Sequence, residues 1–199
     1  MSGRLILASA SPQRKTLLEG LGLSFDVQPS GVDESACPES DPAKRAVTLA
    51  SLKAHDVAKR SANAWIIGCD TLVMSADSGL LEKPSDEADA RRMMALQSGR
   101  TSLVRSGLSL MSPDGKEWQG VSTSSVTFRA MSAADIEWWM EQGFWRGRSG
   151  GFQIDGLGQL MIEKIEGDWT SIVGLPVFLF GELCRKARAP FPPPNDDGD

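Results

Sequence analysis

With one histidine in 199 residues, the chain forgoes most of the chemistry that imidazole supports. A histidine-rich metal site is impossible. A Ser-His-Asp triad would have to recruit His55, which lies in a charged helical stretch with no nucleophile elbow nearby and reads as a surface residue. Any general base is therefore expected to be a carboxylate. Cysteine is also scarce: Cys37, Cys69 and Cys184 are odd in number, far apart and without CxxC or Cys/His spacing. That argues against a disulfide framework or a thiolate zinc site and favours a reducing cytosol. No apolar run approaches the roughly 18 residues of a membrane span. The apolar start, Leu5-Ile6-Leu7, is too short for a signal peptide, so a cytoplasmic location is expected. A basic excess is missing too. The formal charge of −5 argues against broad binding to nucleic acid or an anionic membrane, but a few local cations could still hold a small anion.

What is present suits a globular protein. The 41% hydrophobic residues are enough for a core that needs no staples, since a chain of this length buries roughly 70% of its unfolded surface. Arg4 to Ala8 predicts a short apolar strand. Ser11-Pro12 then opens a helix, Ser as N-cap and Pro at the first helical position, with Leu17, Leu18 and Leu21 on one face. Leu23 to Val27 predicts a second strand and Gly31 to Asp41 a polar loop. Pro42 starts a long helix to about Arg60. Trp65 to Cys69 predicts a buried strand with Asp70 at its end, and Ser85 caps a helix over Asp86 to Gln97. Strand-like runs follow around Leu103–Met111 and Trp118–Phe128, joined by the hairpin signal Ser112-Pro113-Asp114-Gly115. A capped helix over Ser132 to Gln142, a strand over Leu160–Ile165 and a closing helix from Pro176 to Arg188 complete the pattern. It is α/β with mixed strand connections: one domain over residues 1–189, then a proline-rich acidic tail, 190–199, expected to be disordered.

Four segments carry residues suited to chemistry. In Ser9-Ala10-Ser11-Pro12-Gln13-Arg14-Lys15, strand end runs into helix start, where free backbone N–H groups and the helix dipole favour an anion. Read plainly, the same residues are an N-cap and a solvated basic turn. In Ile67-Gly68-Cys69-Asp70-Thr71, a carboxylate at a strand end suits a base, a metal ligand or a simple loop cap. Asp33-Glu34 offers adjacent oxygen ligands of the kind Mg²⁺ or Mn²⁺ takes alongside substrate phosphates, though most such pairs are merely solvated. Lys53 and Lys83 read as surface lysines by default, the latter on a loop stiffened by Pro84. The glycine-rich run Gly147 to Gly156 permits close backbone approach to a ligand or is a flexible connector. Phe152 within it could shape a base pocket. The Trp138-Trp139 pair reads as core or interface.

Taken in order, the segments LILASASPQRKTLLEGLG, SGVDES, LASLKA, IIGCDTLV, LEKPSDEADARRMMALQSGR, RSGGFQIDGLG and IEGDWTSIVGLP resemble the Maf family, named for septum-formation inhibition and read as nucleotide pyrophosphatases. The resemblance spans about residues 4 to 180. It implies an elongated mixed sheet with flanking helices and two lobes around a central cleft, similar to inosine triphosphatase-like enzymes and often a homodimer. It implies hydrolysis of a nucleoside triphosphate between its α- and β-phosphates, with Asp70 activating water. Ser9, Ser11, Arg14, Lys53 and Lys83 would bind the triphosphate. Glu34, Asp33 and Asp70 would stand near a divalent cation, Mg²⁺ or Mn²⁺. The resemblance also leaves room for a nucleotide-binding regulator of cell division with little turnover.

Three further positions bear on the base in that resemblance: Gln13, Thr71 and Asp155. Thr71 matches the branch acting on dTTP and UTP. An acid at position 155 matches the branch acting on 7-methylguanosine triphosphate, and Gln13 matches neither. A carboxylate accepts hydrogen bonds only, so Asp155 on its own predicts a guanine-like or cytosine-like donor edge.

Overall fold

The structure, a computed structural model, describes residues 3–77 and 79–191. Among these, the elements run β1 (Arg4–Leu7), α1 (Pro12–Gly20), β2 (Asp26–Val27), α2 (Pro42–Ala58), β3 (Ala64–Met74), β4 (Leu80–Leu81) and α3 (Glu87–Gln97). They continue with β5 (Thr101–Met111), β6 (Glu117–Phe128), α4 (Ala133–Gln142), β7 (Ile162–Glu166), α5 (Trp169–Val173) and α6 (Val177–Ala187). The strands form one mixed sheet in the order β2-β1-β3-β5-β6-β7, with β4 on β3. By its contacts the chain divides into two compact units. One is Met1–Asp70, Ser106–Ser122 and Gly174–Asp199; the other is Thr71–Arg105 and Thr123–Val173. The boundary falls inside β3, β5 and β6, so no linker marks it.

In the first unit β1 lies parallel to both β2 and β3. Its alternate residues enter different cores. Leu5 and Leu7 pack with Leu18, Ile67, Phe180 and Leu183, whereas Ile6 packs with Ala54, Val57 and Ile66. Successive strand side chains point to opposite faces, so both faces are covered and the strand sequences read as unbroken apolar runs. Helix α2 covers one face. Asp41 caps it, accepting from the Lys44 N–H at 2.9 Å, and Pro42 takes the first turn. Its buried stripe is Ala46, Leu49, Ala50, Lys53, Ala54 and Val57, with a lysine among the apolar members. Two glycines let this helix lie directly on the strands. A Cβ on Gly68 would stand 2.0 Å from the Ala50 carbonyl oxygen, and one on Gly107 2.2 Å from that of Ala46.

In the second unit α3 and α4 pack over a core containing Val104, Val126, Phe128, Trp139, Trp145, Phe152 and Ile154. A reciprocal capping box of Ser132 and Asp135 starts α4, and Gly143, at φ 70°, ends it in the left-handed region. Trp139 is fully buried and its indole N–H donates to the Gly151 carbonyl at 2.8 Å. Phe152 is buried too, edge-on to Phe128, so its ring belongs to the core and not to a base pocket.

Asp86, not Ser85, caps α3, its side chain accepting from the Asp89 N–H, and three expected strands differ from the sequence reading. Asp70 does not end its strand: β3 continues through Leu72, Val73 and Met74, which are buried, and pairs with β4 at Val73 and Met74. The strand expected over Leu23–Val27 shrinks to Asp26–Val27, because Leu23 and Phe25 pack inward while only Ile6↔Asp26 and Leu7↔Val27 pair. The strand expected from Leu160 begins at Ile162, since Leu157–Met161 coil into a 3₁₀ turn. In the proline-rich end, Phe191 is buried against Trp65, while residues 192–199 lie outside the described residues.

Candidate functional site

The expected site residues fall into three groups. The first joins β3, α2 and the loop between β2 and α2. Asp70 is 3% exposed, and Lys53 reaches it from the buried stripe of α2, with Nζ 2.5 Å from Asp70 Oδ1. The same Nζ lies 2.7 Å from Glu34 Oε1, so one ammonium bridges two carboxylates. Asp70 Oδ2 is buried with no hydrogen-bond partner. An unsatisfied carboxylate oxygen in the interior is costly and marks a place where a ligand, water or ion completes the structure.

Asp33, expected beside the cation with Glu34, is engaged differently. It caps the short 3₁₀ turn Glu34–Ala36, its Oδ1 accepting from the Ser35 N–H at 3.0 Å and the Ser35 hydroxyl at 2.7 Å. Those bonds, the hydroxyl's first, hold its carboxyl below the usual aspartate value. The structure does not join Asp33 to Lys53 or Asp70. Among the described residues no group of three or more His, Cys, Asp or Glu side chains is arranged to hold a metal. Asp70 and Glu34 remain as the oxygen donors that Lys53 draws together.

The second group is the turn after β1. Ser11 caps α1, and its hydroxyl donates to Gln13 Oε1 at 3.1 Å. Ser9 is buried and accepts from Arg14 Nη1 at 2.9 Å and from the Ser11 N–H at 3.2 Å. Arg14 Nε donates to the Gly174 carbonyl at 2.8 Å, and the Cys69 thiol donates to the same oxygen at 2.9 Å. Burial pushes the Cys69 thiol up, against a smaller lowering from Arg14. Cys69 packs with Leu5, Leu7 and Ile67, the opposite side of β3 from Lys53 and Asp70. The turn thus reaches β3 one residue before Asp70, and Arg14 addresses that neighbour.

The third group belongs to the second unit. Lys83 is exposed on the loop after β4. The Gly150 N–H donates to the Glu82 carbonyl at 3.0 Å, which ties that loop to the glycine-rich run. Gln97 Nε2 fixes the run further by donating to the Gly150 carbonyl at 2.7 Å. Gly147, Gly150, Gly151 and Gly156 all have positive φ, which L side chains rarely adopt. Within the run, Arg148 Nη1 lies 3.3 Å from Asp155 Oδ1. Thr71 is half-buried on β3.

Sequence reading passed over two of these arrangements. The run Gly147 to Gly156 holds both Arg148 and Asp155, but the glycines between them break any helical or strand period that would pair the two. Sequence reading gave Gly174 no role, because a carbonyl that accepts from both Arg14 and Cys69 leaves no mark in side-chain chemistry.

Residues 4–187 match the Maf-like protein family. Over 184 residues the chain is 41% identical to a dTTP/UTP pyrophosphatase of Deinococcus radiodurans, covering 92% of this chain and 93% of that protein. It is 41% identical over 188 residues to a dTTP/UTP pyrophosphatase of Syntrophotalea carbinolica, covering 93% and 85%. One of Pyrococcus furiosus is 38% identical over 184 residues, covering 92% and 94%. Among solved structures, the Staphylococcus aureus Ham1 protein is similar at a TM-score of 0.46 and 16% identity, covering 63% of this chain and 71% of that one. A match that runs through every candidate residue from Ser9 to Asp155 places the chain in the Maf-like family.

Proposed function

We propose that the chain is a nucleoside triphosphate pyrophosphatase that hydrolyses the bond between α- and β-phosphates, giving a nucleoside monophosphate and pyrophosphate. The observation that carries this reading is the buried Asp70 carboxylate, one oxygen held by Lys53 and the other without a protein partner. Such an oxygen can accept the proton of an attacking water while Lys53 keeps the carboxylate oriented. As the water oxygen bonds to phosphorus, the α–β anhydride bond breaks and pyrophosphate leaves. Phosphoryl chemistry of this kind depends on positioning and charge stabilisation and needs no covalent intermediate. Ser9, Ser11 and Arg14 at the start of α1, together with Lys53 and Lys83, are the donors and cations for the triphosphate.

A divalent cation, Mg²⁺ or Mn²⁺, fits the donor set. Such ions use one or two carboxylates and complete their shell with substrate oxygens. Glu34 would hold it, joined by Asp70 Oδ2 where that oxygen is a ligand instead of the proton acceptor; Asp33, turned into its cap, would not. Bound there, the ion would offset phosphate charge as a Lewis acid.

For the base, relatives near 40% identity named dTTP/UTP pyrophosphatase support dTTP and UTP. Asp155 does not oppose this. Its carboxylate faces the Arg148 guanidinium, whose N–H groups suit the acceptor oxygens of thymine and uracil. That removes the argument for a donor-edged base.

The test is product analysis with dTTP and UTP, with Mg²⁺ or Mn²⁺ present. Pyrophosphate and monophosphate should appear together, and Asp70→Asn should lower the rate by about 10²–10⁴-fold. Stepwise release of inorganic phosphate, nucleotide binding without turnover, or a near-normal rate in Asp70→Asn would each overturn the reading.

A further inference from the structure

Arg45, in the first turn of α2, has no acidic partner among the described residues. Its Nη1 donates to the Cys37 carbonyl at 2.7 Å and the Glu39 carbonyl at 3.4 Å, and its Nη2 to the Glu34 carbonyl at 2.9 Å. Its Nε is buried without a partner. A guanidinium offers five N–H donors in a fixed fork, and here three backbone carbonyls, one at the start of the 3₁₀ turn Glu34–Ala36 and two beyond its end, stand where a carboxylate would. The Glu34 carbonyl also accepts from the Cys37 N–H at 3.3 Å, closing the turn, and the guanidinium adds charge-assisted bonds that fix this backbone.

The consequence lies in Glu34. Its carbonyl is held by Arg45 and its carboxylate by Lys53, both projecting from α2 a little over two turns apart. Glu34 has a side chain 54% exposed and sits in the long irregular stretch between β2 and α2. An exposed carboxylate on such a loop holds one position only if its backbone is anchored.

We propose that Arg45 is a positioning residue: by clamping the carbonyls of Glu34, Cys37 and Glu39, it holds the Glu34 carboxylate against Lys53, and through Lys53 it orients Asp70. The inference rests on the function proposed above for its effect on rate, but the clamp itself can be read without any activity.

Cys37 supplies that second readout. Its carbonyl is one of the clamped groups and the residue is 7% exposed, while Cys69 and Cys184 are 0% and 1% exposed in the core. In Arg45→Met, a disulfide reagent should label Cys37 roughly tenfold faster or more, as loss of charge-assisted bonds frees the loop. Cys69 and Cys184 should stay protected. The turnover rate should fall by a similar factor, Arg45→Lys should recover part of it, and Arg45→Met should add nothing in a Glu34→Gln background. An unchanged Cys37 rate, or equal acceleration of all three thiols, overturns the clamp. A rate loss that multiplies undiminished onto Glu34→Gln overturns the route through Glu34. If the parent protein releases no pyrophosphate, the proposed function fails, and the Cys37 rate still decides whether Arg45 anchors the loop.

Discussion

The two units treat charge in opposite ways. The first buries an ion pair, Lys53 with Asp70, whose side chains are 8% and 5% exposed. The second keeps the ion pairs of its described residues out of the core. Arg91–Glu137, Arg92–Asp89, Arg100–Asp77, Arg129–Asp135 and Lys164–Glu166 lie on the surface, while the interior is apolar and tied by neutral bonds from Gln97 and Trp139 to glycine carbonyls. Exposed pairs contribute about 0–1 kcal/mol at the median. Burying two charges costs several kcal/mol each in desolvation, and apolar residues of similar volume are often as stable or more so. In its ion pairs the second unit is therefore arranged as stability alone would arrange it, although Gln153 Oε1 and Asp168 Oδ2 are buried there without a hydrogen-bond partner. The first is not, and its departure falls on the two residues to which the proposed chemistry assigns a proton acceptor and a phosphate cation.

Separating stability from activity tests that contrast most severely. Lys53→Met leaves the Asp70 carboxylate buried and uncompensated, so it should destabilise by about 3–5 kcal/mol in urea unfolding at neutral pH. The double variant Lys53→Met with Asp70→Leu removes both charges and should recover most of that loss, or exceed the parent, while pyrophosphate release stays abolished. If the double variant is as unstable as the single one, the pair is holding the fold together and the contrast between the units disappears.

The seat of α2 comes next in size. Gly68→Ala puts a methyl group where the Ala50 backbone stands, and backbone yields less readily than a side chain. Overpacking of this kind costs about 1–3 kcal/mol. Because the helix carrying Lys53 must lift, the rate should fall as well, although Gly68 touches no substrate. The second unit offers the control. At Gly79 a Cβ would meet only the Ser75 hydroxyl at 3.3 Å, so Gly79→Ala should leave both stability and rate nearly unchanged. Loss of stability in Gly68→Ala without loss of rate would show that Lys53 and Asp70 tolerate a displaced helix.

Much of the scaffold was legible because its signals are local. Ser11-Pro12 starts α1, Asp41-Pro42 starts α2, Ser132 and Asp135 start α4, and Ser112–Gly115 turns between β5 and β6, each within four residues of chain. What escaped was set by tertiary contacts. An aspartate followed by a threonine reads as the end of a strand, yet β3 continues because Leu72 to Met74 are buried. Lys53 reads as a surface lysine on a helix, and only the packing of α2 on Gly68 and Gly107 shows that its position belongs to the buried stripe. The unit boundary lies within three strands, where neither glycine, proline nor a change of composition marks it. Asp33 and Glu34, adjacent in sequence, part company because one caps a turn and the other reaches Lys53.

The smallest effect belongs to the surface of the second unit, and pH separates it from the buried pair. The Arg129 guanidinium, with the Ser132 N–H and hydroxyl behind it, holds the Asp135 carboxyl far below its ordinary value of 3.8. A carboxyl lowered in the folded state binds protons more readily when unfolded. Its contribution to stability is therefore fully present above the ordinary value and is lost as pH falls below it toward the folded one. The Asp135 side chain is half-buried at the rim of the unit, where solvent and salt still screen much of that contribution. Asp135→Asn keeps an oxygen that can accept from Ser132 and loses only the charge. Its melting temperature should lie slightly below the parent's at pH 7, with the gap narrowing in high salt and closing as pH falls below 3.8. A gap that persists unchanged at acid pH would assign the effect to the shape of the capping box instead of to charge. Charge at that surface would then contribute nothing, and the ionic energetics of the chain would be concentrated on Lys53 and Asp70.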